Sequence, residues 1–232
     1  MAIKLLFITL TLCLVQRASA ASVYWYNGDP NLDYSAGIYS TVNFDGTSMA
    51  YDNFSVVGGP ITVTGIFGNF FSIVNTPVSA DWEIRKGVSE GNGGTLVASG
   101  INASVTWTPI NLGFQFPTTT YRATVSGLSV ALSEDTYWVG LRAISDSVFT
   151  GFSVFLTTGG NAVGVPVLND GNSFVNWTSG LPINFQDART ANGFRVPVDL
   201  SIGVLVADAI PEPGALWMAG AGLGILALRR KR

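Results

Sequence analysis

The sequence predicts an all-β body: an antiparallel two-sheet β-sandwich of jelly-roll type. Three observations predict it. Apolar and polar residues alternate in short runs through residues 21–206, Gly, Asn and Pro turn signals separate the runs, and no stretch sustains a 3.6-residue period. Composition points the same way. Charged residues make up 12% of the chain, about half the usual share, and mean hydropathy is +0.37. With 27 glycines, this composition suits strands and tight turns rather than a helical or disordered body.

Taken in order, residues 22–26 (SVYWY) form the first expected strand, ending at the Asn27-Gly28 turn. Residues 49–57 (MAYDNFSVV) alternate and stop at Gly58-Gly59-Pro60, and residues 61–67 follow with β-branched side chains. In residues 81–85, Trp82 and Ile84 take one face while Asp81, Glu83 and Arg85 take the other, the pattern of a half-buried antiparallel strand. Further strands are expected over 95–99, 104–108, 121–125, 136–144, 148–157, 173–177 and 194–205. The body contains no internal repeat and no domain boundary.

Both ends differ from this body. In residues 1–20, Lys4 precedes an apolar run from Leu5 to Val15, and Ala18-Ser19-Ala20 supplies the small-x-small pattern read by signal peptidase. Cleavage is expected between Ala20 and Ala21. At the other end, Pro211-Glu212-Pro213 breaks regular structure, residues 214–228 carry no charge, and Arg229-Arg230-Lys231-Arg232 follows. As a helix, those fifteen residues would span about 22 Å, short of a roughly 30 Å hydrocarbon core. Snorkelling of Arg229 and its neighbours covers the shortfall. The basic tail then stays in the cytoplasm and the body lies outside. The expected organisation is therefore a signal peptide at 1–20, the body at 21–206 and an anchor segment at 207–232.

Pro211-Glu212-Pro213, the short uncharged run and the basic tail, in that order, resemble the PEP-CTERM sorting signal of Gram-negative bacteria. The resemblance implies transit through the inner membrane and processing near residues 211–213 by an exosortase. Delivery to the cell surface or the exopolysaccharide matrix would follow. Within the body, Tyr51-Asp52-Asn53-Phe54, the segment from Trp82 to Ser89 and Thr136-Tyr137-Trp138-Val139-Gly140-Leu141 resemble a body type that recurs among PEP-CTERM proteins. That likeness bears on the fold.

Charge and missing residue types exclude several functions. Residues 21–210 hold six Lys and Arg against fourteen Asp and Glu, an acidic body that repels phosphate backbones and excludes nucleic acid as a partner. Histidine is absent, and the single cysteine, Cys13, lies in the segment expected to be removed. Triads, thiolate chemistry and the usual zinc ligands go with them.

Candidate sites remain. Asp29, Asn31 and Asp33 place oxygen donors at every second residue, as calcium loops do. Tyr34 stands where such a loop has glycine, so the competing reading is an Asx-rich turn. Tyr24 and Tyr26 share one face of the first strand and are candidates for stacking on a sugar, against packing between sheets. Asp81 with Glu83, or Glu134 with Asp135, are adjacent rather than facing carboxylates, a poor glycosidase pair. The expectation is a non-enzymatic exported surface or matrix protein associated with exopolysaccharide, with no required cofactor. The alternative is a carbohydrate-binding or adhesion module assisted by calcium, and a secreted hydrolase is the least supported class.

Overall fold

The computed structural model describes residues 21–30, 37–40, 42–43, 46–72, 78–110, 119–144, 153–155, 157–158, 160–165, 170, 172–177, 184–191 and 198–207. The expected signal peptide with Ala18 and Ala20, the span at 214–228, Pro211, Glu212, Pro213 and the tail Arg229, Arg230, Lys231 and Arg232 lie outside them. Among the described residues, no helix is long and apolar enough to cross a membrane.

The body from Ala21 to Ala207 is one unit built of two antiparallel sheets. In chain order the strands are β1 (Ala21–Tyr26), β2 (Gly37–Tyr39), β3 (Val42–Asn43), β4 (Gly46–Val56), β5 (Ile61–Ser72), β6 (Ser79–Lys86) and β7 (Thr95–Ala103). They continue as β8 (Val105–Pro109), β9 (Thr119–Leu132), β10 (Asp135–Ile144), β11 (Ser153–Phe155), β12 (Phe174–Trp177), β13 (Gln186–Asp187) and β14 (Ile202–Ala207), with one helical turn, α1 (Ala188–Ala191), after β13. In the first sheet, β5 is the axis. It pairs with β9 along one side, and β9 with β8. On the other side lie β14 and then β1, with β11 and then β2 further along. The second sheet runs β13-β12-β4-β10-β6-β7, with β3 beside β4.

Alternation explains how the layers meet. Along β4, Ala50, Phe54 and Val56 enter the main core, where they join Ile66, Phe70, Ile84, Val139, Leu141, Leu200 and Val204. The opposite parity of the same strand, Met49 and Tyr51, packs with Val88, Trp138, Phe174 and Phe185 in a smaller cluster. The second sheet is thus covered on part of its outer face too. On β6, Trp82 and Ile84 are core residues as expected, while Glu83 accepts a hydrogen bond from the Tyr51 hydroxyl at 2.7 Å and Asp81 pairs with Arg142.

Three elements depart from the sequence expectation. β5 runs on to Ser72 and β9 spans Thr119–Leu132, the two paired from Ile61 with Leu132 to Ser72 with Thr119, well beyond the short strands expected over 61–67 and 121–125. Gly127 (φ 77°) does not end β9. It sits where the register slips, so three residues of β9 pass opposite Thr64 alone. Of the strand expected over 194–205, residues 194–197 lie outside the described residues; among the rest it begins at Ile202, because Asp199 and Ser201 are turned inward into polar clusters.

Close packing beside β10 gives a direct test. A Cβ on Gly140 would lie 2.6 Å from the Tyr51 ring and 2.8 Å from the Met49 sulfur. Gly140→Ala is expected to lower stability by about 1–3 kcal/mol, measured by urea denaturation.

Candidate metal centre

β12 accompanies β4 only from Ser48 to Tyr51, while on the other flank β10 continues to Val56. Past Tyr51 that flank of β4 meets Val165, whose carbonyl accepts from the Ser55 N–H at 2.7 Å, and Asp52 is the first inward-facing residue past Tyr51. Its carboxylate is fully buried. Oδ2 accepts from the Leu200 backbone N–H at 2.6 Å and from Asn27 Nδ2 at 2.9 Å, and Oδ1 accepts from the Asn53 N–H at 2.8 Å.

Two more carboxylates lie close to Asp52. Asp199 precedes Leu200 in the approach to β14 and is itself buried, and Asp170 arrives from the segment before β12 and is exposed. One oxygen of each of Asp52, Asp170 and Asp199 lies within 4.8 Å of the others. Asp170 is held by its neighbours: Oδ2 accepts from Asn53 Nδ2 at 2.7 Å, and Oδ1 from the Asn172 N–H at 3.0 Å. Asn27 is fixed from the first sheet, its N–H donating to the Ile202 carbonyl at 3.1 Å. The cluster thus joins β4 of one sheet to the starts and ends of β14 and β1 in the other.

Its electrostatics follow from this placement. Burial, then the charge of Asp199, raises Asp52 well above the usual carboxylate range, against the pull of the Leu200 and Asn53 N–H groups. Burial and the charge of Asp170 push Asp199 up to about 7. Oxygen-only donors gathered this closely are the chemistry of a hard divalent cation.

The sequence candidates fall elsewhere. Asp29 is engaged by the segment at 158–161 and by β1: Oδ2 accepts from Asn161 Nδ2 at 2.7 Å and Oδ1 from the Tyr26 hydroxyl at 3.3 Å. Asn31 and Asp33 lie outside the described residues. Tyr24 and Tyr26 do not form a shared exposed face. A bulge after Val23 turns both Trp25 and Tyr26 inward. Tyr26 then packs on Phe67 at 5.2 Å between ring centroids, and the Tyr24 hydroxyl accepts from the Val57 N–H at 3.0 Å. With 6% exposure, Tyr26 has no free ring face for a sugar. Of the signal-cleavage residues, Ala21 is described, as the first residue of β1.

Asp52, Asp170 and Asp199 were not singled out by sequence reasoning, being 118 and 29 positions apart. A signal did exist for Asp52. It shares its parity with Ala50, Phe54 and Val56, so the alternation of β4 places a carboxylate among core positions.

Residues 209–232 match the family model of the PEP-CTERM protein-sorting motif. The chain carries that sorting motif. The PEP-CTERM segment marks a protein sorted by exosortase, with export and membrane-associated processing that end at the cell surface. No curated protein and no solved structure matches the chain.

The cluster's charge has a measurable consequence in metal-free protein. Asp52 and Asp199 hold protons more tightly folded than unfolded, where an aspartate titrates near about 3.9. Their burial therefore subtracts stability as pH rises from about 4 towards about 7. Asp170→Asn removes one of the repelling charges at an exposed position. It is expected to raise Tm by about 2–4 °C at about pH 8 in chelator, with the gain vanishing at about pH 4. Thermal melts at the two pH values check both parts.

Proposed function

We propose that this chain is a non-enzymatic surface or matrix protein associated with exopolysaccharide. Signal peptidase cuts it before Ala21, and residues 214–228 hold it in the inner membrane with the body outside until exosortase cuts near residues 211–213. The observation that carries this reading is the sorting motif at 209–232. The extent of the body agrees with it: among the described residues the first strand begins at Ala21 and the last ends at Ala207, so neither proposed cut removes a described strand.

The non-enzymatic part rests on residue chemistry. The sequence has no histidine, and its one cysteine precedes Ala21. The carboxylates first considered for acid–base work serve structural contacts. Asp81 pairs with Arg142, Glu83 with Arg85 and Asp135 with Lys86, while Glu134 accepts the Gly59 N–H at 2.7 Å. The acidic body suits a hydrated polysaccharide matrix and disfavours retention on anionic lipid or nucleic acid.

Intact mass spectrometry of the protein from hosts with and without the exosortase tests the processing. The expected mass begins at Ala21 in both hosts and ends near residue 211 only where the enzyme is present. An identical C-terminus in both would leave a simple tail-anchored protein. Matrix association is tested by fractionation: the processed body is expected with the exopolysaccharide and should move to the medium in a strain that makes none.

A further inference from the structure

The three carboxylates between the sheets are accompanied by a second observation that points to a ligand. Asn27 is 3% exposed and Asn53 4%, and the Oδ1 of each is buried with no hydrogen-bond partner among the described residues. Buried amide oxygens are seldom left in this condition, since an unpaired one costs about 1–3 kcal/mol. Both amide heads touch the cluster through their nitrogens, Asn27 at Asp52 and Asn53 at Asp170. A half-turn about Cβ–Cγ exchanges nitrogen for oxygen in a planar amide. The same two side chains then present oxygen, not nitrogen, to whatever sits among the carboxylates.

We propose that Asp52, Asp170 and Asp199, with the amide oxygens of Asn27 and Asn53, form a calcium-binding site that ties the two sheets together. Oxygens on opposite sides of a calcium ion lie about 4.6–5.2 Å apart, twice the usual bond length. One oxygen from each carboxylate, the three within 4.8 Å of one another, fits that span without moving the backbone. Five oxygen-bearing side chains, three of them anionic, suit an ion that takes six to eight oxygens in loose geometry. Magnesium keeps its water and takes about one or two carboxylates. The absence of His and Cys from the body excludes the soft and borderline donor sets of zinc and copper. Exposed Asp170 gives the ion its entrance from solvent, and Asp52 and Asp199 close the floor. The site is distinct from the Asp29 turn, whose carboxylate is already engaged by Asn161 and Tyr26. It does not depend on the sorting reading.

The test uses the full chain, purified in detergent and stripped with chelator, then titrated with calcium chloride or magnesium chloride. Calcium is expected to bind as one ion per chain and to raise Tm by roughly 5–10 °C at about a hundredfold excess over Kd. Magnesium should do far less. Asp170→Asn, exposed and safe for folding, should weaken calcium binding at least about tenfold. Asp29→Asn should leave it unchanged. The proposal is overturned by the absence of stoichiometric calcium binding, by an equal response to magnesium, or by a calcium response that survives Asp170→Asn. Loss of the response in Asp29→Asn alone would likewise overturn it and move the site to the Asp29 turn.

Discussion

A buried carboxylate at Asp52 organises the junction between the two sheets. An ion-bearing group on the inward parity of a core strand is tolerated only where hydrogen-bond donors meet it on arrival. Here they come from both layers: the Asn53 N–H from its own strand, the Leu200 N–H from the approach to β14, and the Asn27 amide from the end of β1. Each donor fixes the position of a backbone segment. Together they determine where β1 and β14 stand relative to β4, and Trp25, which lies on Phe54 at 5.7 Å between ring centroids, packs beside the same junction. Apolar contact alone would allow the sheets to slide, whereas a set of directional hydrogen bonds from separate strands allows one register.

A second polar cluster does similar work within the first sheet. Ser201 donates to the Gly28 carbonyl at 2.7 Å, Asn69 Nδ2 donates to Ser201 Oγ at 2.7 Å and to the Tyr26 hydroxyl at 3.1 Å, and Arg122 Nε donates to Asn69 Oδ1 at 3.0 Å. The Arg122 guanidinium also lies over the Phe67 ring, 4.8 Å from its centroid. Burial raises the Tyr26 hydroxyl above its ordinary value, so it stays neutral within this network. Both clusters draw on residues 198–201, which explains why that stretch is irregular although its Val198 and Leu200 are core residues.

Much of the architecture was legible because alternation is a local property. The strands at Asp81–Arg85 and around Trp138 could be read from parity. The length of β9 was not legible, since Gly127 reads as a strand end when it is a bulge whose tolerance depends on β5 alongside. The carboxylate cluster was least legible of all. Asp29 and its neighbours advertise a site through spacing, yet the Asp29 carboxylate is engaged by Asn161 and Tyr26. The carboxylates that do converge come from three remote segments, and only the fold brings them together. Tyr26 shows the same limit, because the bulge that turns it inward depends on β14, which lies almost at the far end of the chain.

The position of β14 has a consequence for how the protein leaves the cell. It sits between β1 and β5, pairs Ala207 with Ala21, and places Ile202 and Val204 in the core. A chain exported from its N-terminus carries β1 through the channel first and must wait for almost the whole body before its partner emerges. Until then the first sheet has a gap beside its axis, Asp52 lacks its Leu200 donor, and the chain remains pliable enough to thread. Only a few residues after β14 separate it from the segment at 209–232. In such an order of emergence the body can close only as its sorting segment follows, so that the timing of folding is written into the strand order.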